Sequence, residues 1–308
     1  MGNLIEEQAV FNPGHFACPG CGEALAIRFI VNTLGPDTIA VVPPSCAAII
    51  CGPQPLSSMG IPVYQSALEA GAASAAGIKR ALLAAGNDHT AVAVLAGDGG
   101  TYDIGFQALS AAAERREDII YVCLDNEGYM NTGSQRSSAT PLLAHTTSTP
   151  AGKPTAKKNV AEIMAAHRVP YVATATTGYP EDLARKVATA RENTGGLRFV
   201  VVLTPCPTGW GFADHAGPGI SRLAVESGIF PLYEIVDGER YILNHGPADR
   251  SVADYVAEQR RYRHLSPHEI DLIRGAFTRL IAYDAAWTSP PFMRSTISCR
   301  RRPAGVSG

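Results

Sequence analysis

The chain has 308 residues, 46% of them hydrophobic, and a net charge of −2. That length and apolar fraction suit a globular chain able to bury a large core, and the near-neutral charge gives no bulk electrostatic case for nucleic acid. No apolar stretch is long enough to span a bilayer, because the Ala-rich segment 67–85 is interrupted by Glu69, Lys79 and Arg80.

The opening MGNLIEEQ lacks a basic region followed by an apolar core, and Glu6 stands where a myristoylation signal needs Ser or Thr, so a cytoplasmic location is expected. Residues 1–14 read as irregular. Cys18-Pro19-Gly20-Cys21-Gly22-Glu23 then precedes a helix over 24–34. A turn at Gly35-Pro36-Asp37 leads to a β-branched strand, 38–42, which ends in Pro43-Pro44-Ser45-Cys46. A Pro/Gly-rich loop reaches about residue 62, and a small-residue helix over 65–85 is suited to close packing on its own sheet or on another subunit. An apolar run, 91–96, ends in Gly97-Asp98-Gly99-Gly100, with a helix starting near Ile104. A second apolar run, 119–124, ends in Asp125-Asn126-Glu127-Gly128.

Residues 131–158 form a polar loop of a length that is usually functional or disordered. Beyond it the pattern predicts a helix over 160–168, a strand over 171–174, a helix over 181–193 and a strand over 197–203 that ends in Pro205-Cys206-Pro207. Strands alternating with helices indicate an α/β fold with a doubly wound, mostly parallel sheet. A hairpin over 231–244 turns at Asp237-Gly238, and charged helices follow over 252–261 and 267–287. The expected division is a ligand-binding domain over 1–245 and a helical extension and tail over 246–308. The Arg300-Arg301-Arg302 run reads as a solvated end.

The chemistry concentrates at two strand ends. Twenty-five residues separate Gly99 from Asp125, enough for one helix and one strand. Both turns then lie at carboxyl ends of parallel strands, where open α/β sheets bind ligands. Glycines allow close backbone approach to a phosphate, and a helix N-terminus can aim amides at it. Asp98 supplies a hard oxygen for Mg²⁺, and Asn126 with a nearby carbonyl can complete the site. The arrangement resembles the GDG…N pattern of thiamine diphosphate enzymes; two ordinary turns are the bland reading.

Seven cysteines in a chain of this kind point to metal or reactive thiols rather than disulfides. Cys123, inside an apolar strand, reads as a core residue, and Cys299, in the basic tail, as incidental. Cys18 and Cys21 form a CxxC, while Cys46 and Cys206 each follow a strand beside proline, so all four can meet near the diphosphate site. Spacing alone leaves an iron–sulfur cluster, zinc and coincidence open.

CPGCGE (18–23), PPSC (43–46), GDGGTYDIG (97–105), LDNEGYMNTGSQRSS (124–138), TPCPTGW (204–210) and DYVAEQRRYRHL (254–265) resemble the β subunit of 2-oxoacid:ferredoxin oxidoreductases, the pyruvate branch in particular. The resemblance covers most of residues 10–270, and the motifs jointly favour a [4Fe–4S] cluster. It implies that Cys18, Cys21, Cys46 and Cys206 ligate the cluster. Asp98, the Asn126 side chain and the Gly128 carbonyl would hold Mg²⁺. Gly22, Cys46, Gly97, Gly99, Gly100, Asn131 and Thr132 would line thiamine diphosphate, with Glu23 and Asn131 beside its reactive end and the substrate. The implied reaction is oxidative decarboxylation of a 2-oxo acid, commonly to the acyl-CoA, with electrons passed singly through the cluster. Implied partners are an α subunit with the pyrimidine-binding domain, γ and ferredoxin-like δ subunits or equivalents, and ferredoxin or another acceptor. Gly128 stands where a larger residue is common, Tyr102 is at a variable position, and the tail after Trp287 has no counterpart, so substrate choice stays open.

Two rival readings remain. A non-redox thiamine decarboxylase or synthase would need no cysteine quartet, and a non-enzymatic metal-binding module would have no use for Asp98 and Asn126. His145 and His215 are loop residues near the site; His89, His167, His264 and His268 read as surface or helix-end residues. Arg136 is expected to pair within its own loop rather than clamp a carboxylate.

Overall fold

The structure, a computed structural model, describes residues 10–248 and 250–273. Its strands are β1 (Thr38–Val42), β2 (Val63–Gln65), β3 (Ala91–Gly97), β4 (Ile120–Asp125), β5 (Tyr171–Thr176), β6 (Arg198–Leu203), β7 (Leu232–Val236) and β8 (Arg240–His245). Its helices are α1 (Gly22–Leu34), α2 (Cys46–Cys51), α3 (Gly71–Ala84), α4 (Phe106–Glu114), α5 (Val160–Ala166), α6 (Pro180–Glu192), α7 (Gly217–Glu226) and α8 (Val252–Ala257). The strands form one eight-stranded sheet in the order β2-β1-β3-β4-β6-β5-β7-β8. The first six are parallel, and the β7–β8 hairpin joins antiparallel beside β5.

The central strands β4 and β6 are buried at every position, as expected of parallel strands covered on both faces. Alternation then divides the core. Ile120, Val122 and Leu124 meet Ile27, Ile30, Leu34, Leu183 and Val187 on the α1/α6 side. Tyr121, Cys123, Phe199 and Val201 meet Ala72, Ala75, Leu109, Ala112 and Met164 on the other. Cys123 is thus a core residue, as its setting predicts. A third cluster joins Trp210 and Ile220 to Val252, Tyr255, Val256 and Tyr262, so the segment after β8 packs on the same body.

Several boundaries differ from the sequence expectation. The span read as loop to residue 62 contains α2, whose Cys-Ala-Ala-Ile-Ile-Cys run is too short for a helical period to register. The helix expected over 65–85 starts at Gly71, because Gln65 pairs with Val42 in the edge strand β2. Gly71, Ala72, Ala75 and Ala76 are buried on the molecule's own sheet side, and a Cβ at Gly71 would lie 2.8 Å from Pro43 Cγ. Intramolecular packing therefore accounts for the small residues of that face. Helix α7 went unpredicted because its Gly-Pro-Gly opening reads as a turn, although proline also suits a helix start.

The loop 131–158 is held by main-chain and side-chain bonds. Leu143 and Lys153 pair through their backbones, and Lys153 Nζ donates to the Thr140 and Ala156 carbonyls at 2.7 and 3.0 Å. A helix begins at 267 and reaches the last described residue, 273. The rest of the expected 267–287 helix, residues 1–9, Cys299 and the arginine run lie outside the described residues. No helix among the described residues is long and apolar enough to cross a membrane.

Candidate active site

Four neighbouring strands, β1, β3, β4 and β6, deliver Cys46, Asp98, Asn126 and Cys206 to the same edge of the sheet. Strand spacing alone would hold the ends of β1 and β6 roughly 14 Å apart. Yet Cys21, Glu23, Cys46, Asn126, Asn131 and Cys206 line one cavity of about 70 Å³, with Cys18 on its wall as well. The CxxC loop is brought in by the Gly22 amide, which donates to the Pro205 carbonyl at 3.3 Å. Of the strand-end residues, Cys46, Asn126 and Cys206 therefore meet at one cavity, which Asp98 does not line.

At the diphosphate end, Asp98 is 1% exposed and Asn126 5%. One oxygen of Asp98 accepts from the Ser137 hydroxyl, and the Asn126 amide donates to Glu23 Oε2 at 3.0 Å. Asp98 Oδ1, Asn126 Oδ1 and Glu23 Oε1 are buried without a hydrogen-bond partner. Burial, reinforced by Asp125, pushes the Asp98 carboxyl well above its usual range, against the pull of Ser137, Lys157 and the Gly128 amide. Three buried carboxyl side chains here, Asp98, Asp125 and Glu127, face the half-buried Lys157 and the buried Arg261. Unpaired carboxyl and amide oxygens on adjacent strand ends fit a hard cation such as Mg²⁺.

The turn after Asp98 differs from the expected helix start. Residues Gly99–Ile104 form a wide π-type turn, Asp103 breaks it with φ −107° and ψ −106°, and α4 begins only at Phe106. Gly99 also has a local reason to be glycine: a Cβ there would lie 2.2 Å from the Tyr129 ring. Tyr129 donates to Asp103 Oδ2 at 2.9 Å, and Ser138 donates to the same carboxylate. Thr132, expected at the cofactor, is exposed and donates to Gln135 Oε1 at 2.7 Å within its own turn.

The cysteine end is differently built. Cys21 Sγ accepts from the Ala24 amide at 3.4 Å and Cys206 Sγ from the Gly209 amide at 3.3 Å. Burial, with Glu23 nearby, pushes the Cys21 thiol up to about 12. Burial likewise raises Cys46 and Cys206, and Cys46 also feels Glu23, Cys206, Cys21 and Cys18. Cys51 lies in the core behind the cavity, with its thiol pushed up to about 12 by burial and Glu23. Among the described residues no three His, Cys, Asp or Glu side chains converge tightly enough to hold a single metal ion. Four thiols that share a cavity are donors of the kind that an iron–sulfur cluster or zinc takes.

Glu23 joins the two ends. It is 2% exposed, and burial raises its pKa to about 7 against the pull of the Asn126 and Ala47 amides. His145 and His215 are exposed and do not line the cavity. His167 caps α5 and hydrogen-bonds Ser110 at 2.8 Å. Arg136 makes no ion pair among the described residues, so the expected salt bridge within its loop is not formed; its amide bonds Ser148 Oγ instead.

Sequence reading missed the support around Asn126. Lys157 Nζ bridges Asp125 at 2.6 Å and Glu127 at 2.9 Å, Tyr102 donates to Asp125 at 3.0 Å, and Arg261 pairs with Glu127 at 2.7 Å. Acidic residues on both sides of Asn126, directly after an apolar strand, were the one local signal that buried cations must come from elsewhere in the chain.

A parallel sheet with a buried Asp/Asn pair and a cavity at its carboxyl strand ends has the architecture of a ligand-binding α/β domain. A family model described as "Thiamine pyrophosphate enzyme, C-terminal TPP binding domain" matches residues 48–202. The pyruvate synthase subunit PorB of Methanocaldococcus jannaschii is 46% identical over 86% of this chain and 92% of its own. The ketoisovalerate oxidoreductase subunit VorB of Pyrococcus abyssi is 41% identical over 86% of this chain and 88% of its own. A solved 2-oxoglutarate:ferredoxin oxidoreductase from Magnetococcus marinus, 24% identical, superposes over 66% of this chain and 70% of its own with a TM-score of 0.57, a likeness of fold. The chain belongs to the β-subunit family of the thiamine diphosphate-dependent 2-oxoacid:ferredoxin oxidoreductases.

Proposed function

We propose that this chain grips Mg²⁺–thiamine diphosphate through Asp98, Asn126 and Gly128 and a [4Fe–4S] cluster through Cys18, Cys21, Cys46 and Cys206. The observation that carries the reading is the shared wall: Asn126 and Glu23, each with a buried unpaired oxygen, line the four-cysteine cavity, and Asp98 follows the strand next to that of Asn126. A non-redox thiamine enzyme has no use for that quartet.

Bound thiamine diphosphate would supply the carbon nucleophile for oxidative decarboxylation of a 2-oxo acid, pyruvate or a related acid, with CoA commonly taking the acyl group and the cluster taking the electrons. Asp98 and Asn126 orient the metal end. Glu23 carries a proton near neutral pH and keeps one oxygen free toward the cavity. Asn131, exposed on the rim, offers an amide to the substrate. The division that goes with this reading is a binding domain over 1–245 and an extension over 246–308, of which the described Val252, Tyr255, Val256 and Tyr262 pack against Trp210 and Ile220. The remaining partners are an α subunit with the pyrimidine-binding domain, γ and ferredoxin-like δ subunits or equivalents, and ferredoxin or another acceptor. The setting is cytoplasmic.

Metal and cofactor analysis of the purified complex, with a panel of 2-oxo acids, tests this reading. Magnesium, thiamine diphosphate and iron should all be present, and the isolated chain should not turn over. Iron-free complex that still oxidises pyruvate would refute the cluster assignment.

A further inference from the structure

Arg261 lies far along the chain from the strand-end motifs, yet it is 4% exposed and reaches the loop that carries Asn126. Its guanidinium pairs with Glu127 Oε2 at 2.7 Å and lies 3.8 Å from the centroid of the Trp210 ring. The Trp210 indole in turn donates to the Asn126 carbonyl at 2.8 Å. One side chain thus fixes both the residue after Asn126 and the indole that grips its backbone. Arg261 is itself held, donating to Gln259 Oε1 at 2.8 Å and to the Tyr255 hydroxyl at 3.3 Å. Its carbonyl accepts from the His145 amide at 2.9 Å, so the long loop 131–158 is tied to the same residue.

Stability alone is a poor account of this arrangement. A buried ion pair gains little over well-packed apolar residues, because desolvation offsets the attraction. Its geometry is specific, however: a planar guanidinium can stack on an indole and bond a carboxylate together, which an ammonium cannot. The Glu127 pair and the Trp210 bond end beside and on Asn126, and neither takes up Asn126 Oδ1, which stays unpaired.

We propose that Arg261 is a positioning residue for the metal–diphosphate site, acting through Glu127 and Trp210 to hold the Asn126 loop in its binding geometry. The inference rests on the assignment of Asp98 and Asn126 to that site. It predicts that the segment after β8 tunes cofactor affinity without touching the cofactor.

The test uses the intact complex, stripped of thiamine diphosphate and divalent metal, with Mn²⁺ as probe. Free Mn²⁺ is read from its electron paramagnetic resonance signal during titration with thiamine diphosphate. Arg261→Ala should weaken Mn²⁺–thiamine diphosphate about tenfold, or ~1.4 kcal/mol. Arg261→Lys, which keeps the charge and loses the stack, should fall between it and wild type. Trp210→Phe, which removes only the indole donor, should weaken binding too. Combined with Arg261→Ala it should add much less than its own effect, because both act on one loop. Iron content should stay at the wild-type level. If wild type binds no Mn²⁺–thiamine diphosphate, the underlying site assignment fails. If wild type binds and the folded variants bind equally well, or their losses are additive, the positioning role is wrong. Should Arg261→Ala not fold, Arg261→Lys and Trp210→Phe carry the same comparison.

Discussion

The two ends of the candidate site are prepared in different ways. Around Asn126, carboxylates, lysine, arginine, tyrosine and tryptophan are already bonded to one another, and only a few oxygens are left free. At the cysteine end the Cys21 and Cys206 thiols accept amide bonds, and burial pushes the Cys21, Cys46 and Cys206 thiols up. The metal–diphosphate end is therefore preorganised by the chain. Under the proposed function, the cysteine end would have to exchange protons for metal before its geometry is set, since thiolates rather than thiols are ligands. Damage at one end should leave the other largely intact.

Cys206→Ser gives the largest expected effect, loss of most of the iron with Mg²⁺–thiamine diphosphate still bound. Iron analysis beside cofactor titration checks it, and unchanged iron would sink the ligand assignment. Asp98→Ala should do the converse: iron retained, cofactor affinity down about 100-fold or more, roughly 3 kcal/mol, by the same pair of measurements. An Asp98→Ala complex that binds cofactor as wild type does would mean the metal is held elsewhere.

Glu23 sharpens the comparison because it belongs to both ends. Its folded pKa of about 7 exceeds the ordinary 4.5. Between those values the folded chain keeps a proton that the unfolded chain releases. The cofactor-free protein should therefore lose stability as pH rises through that window, by about 3 kcal/mol. Glu23→Gln should flatten the fall, as read by denaturant unfolding from pH 5 to 8; an equally steep curve in the variant would place the slope on other groups. The smallest effect is expected at Gly99. Alanine there must displace the Tyr129 ring, costing about 1–3 kcal/mol. Tyr129→Ala in the same chain should recover part of that loss in thermal unfolding, and strictly additive losses would contradict the contact.

Much of the architecture was legible from local pattern. The apolar runs ending in Gly97-Asp98-Gly99 and Asp125-Asn126 read as buried parallel strands, and they are β3 and β4. The hairpin turning at Asp237-Gly238 is present as β7 and β8. Short elements escaped because they carry too few residues for a period: α2 has six residues and β2 three. The wide turn after Asp98 escaped because its geometry depends on contacts made by Tyr129 and Ser138, which lie across the site.

The sequence by itself determined which residues stand at strand ends, since hydrophobic runs and their turn residues are local. It thereby placed Asp98, Asn126, Cys46 and Cys206 in the right kind of position. Only the tertiary structure decided that β1, β3, β4 and β6 lie side by side, so that these four residues share one edge. Strand order follows from which helix faces pack against which side of the sheet, and that is a long-range choice. The same holds for Lys157, Trp210 and Arg261. Trp210 and Arg261 stand within motifs that the sequence shows, but what they pair with is decided only by folding, as it is for the charge of Lys157.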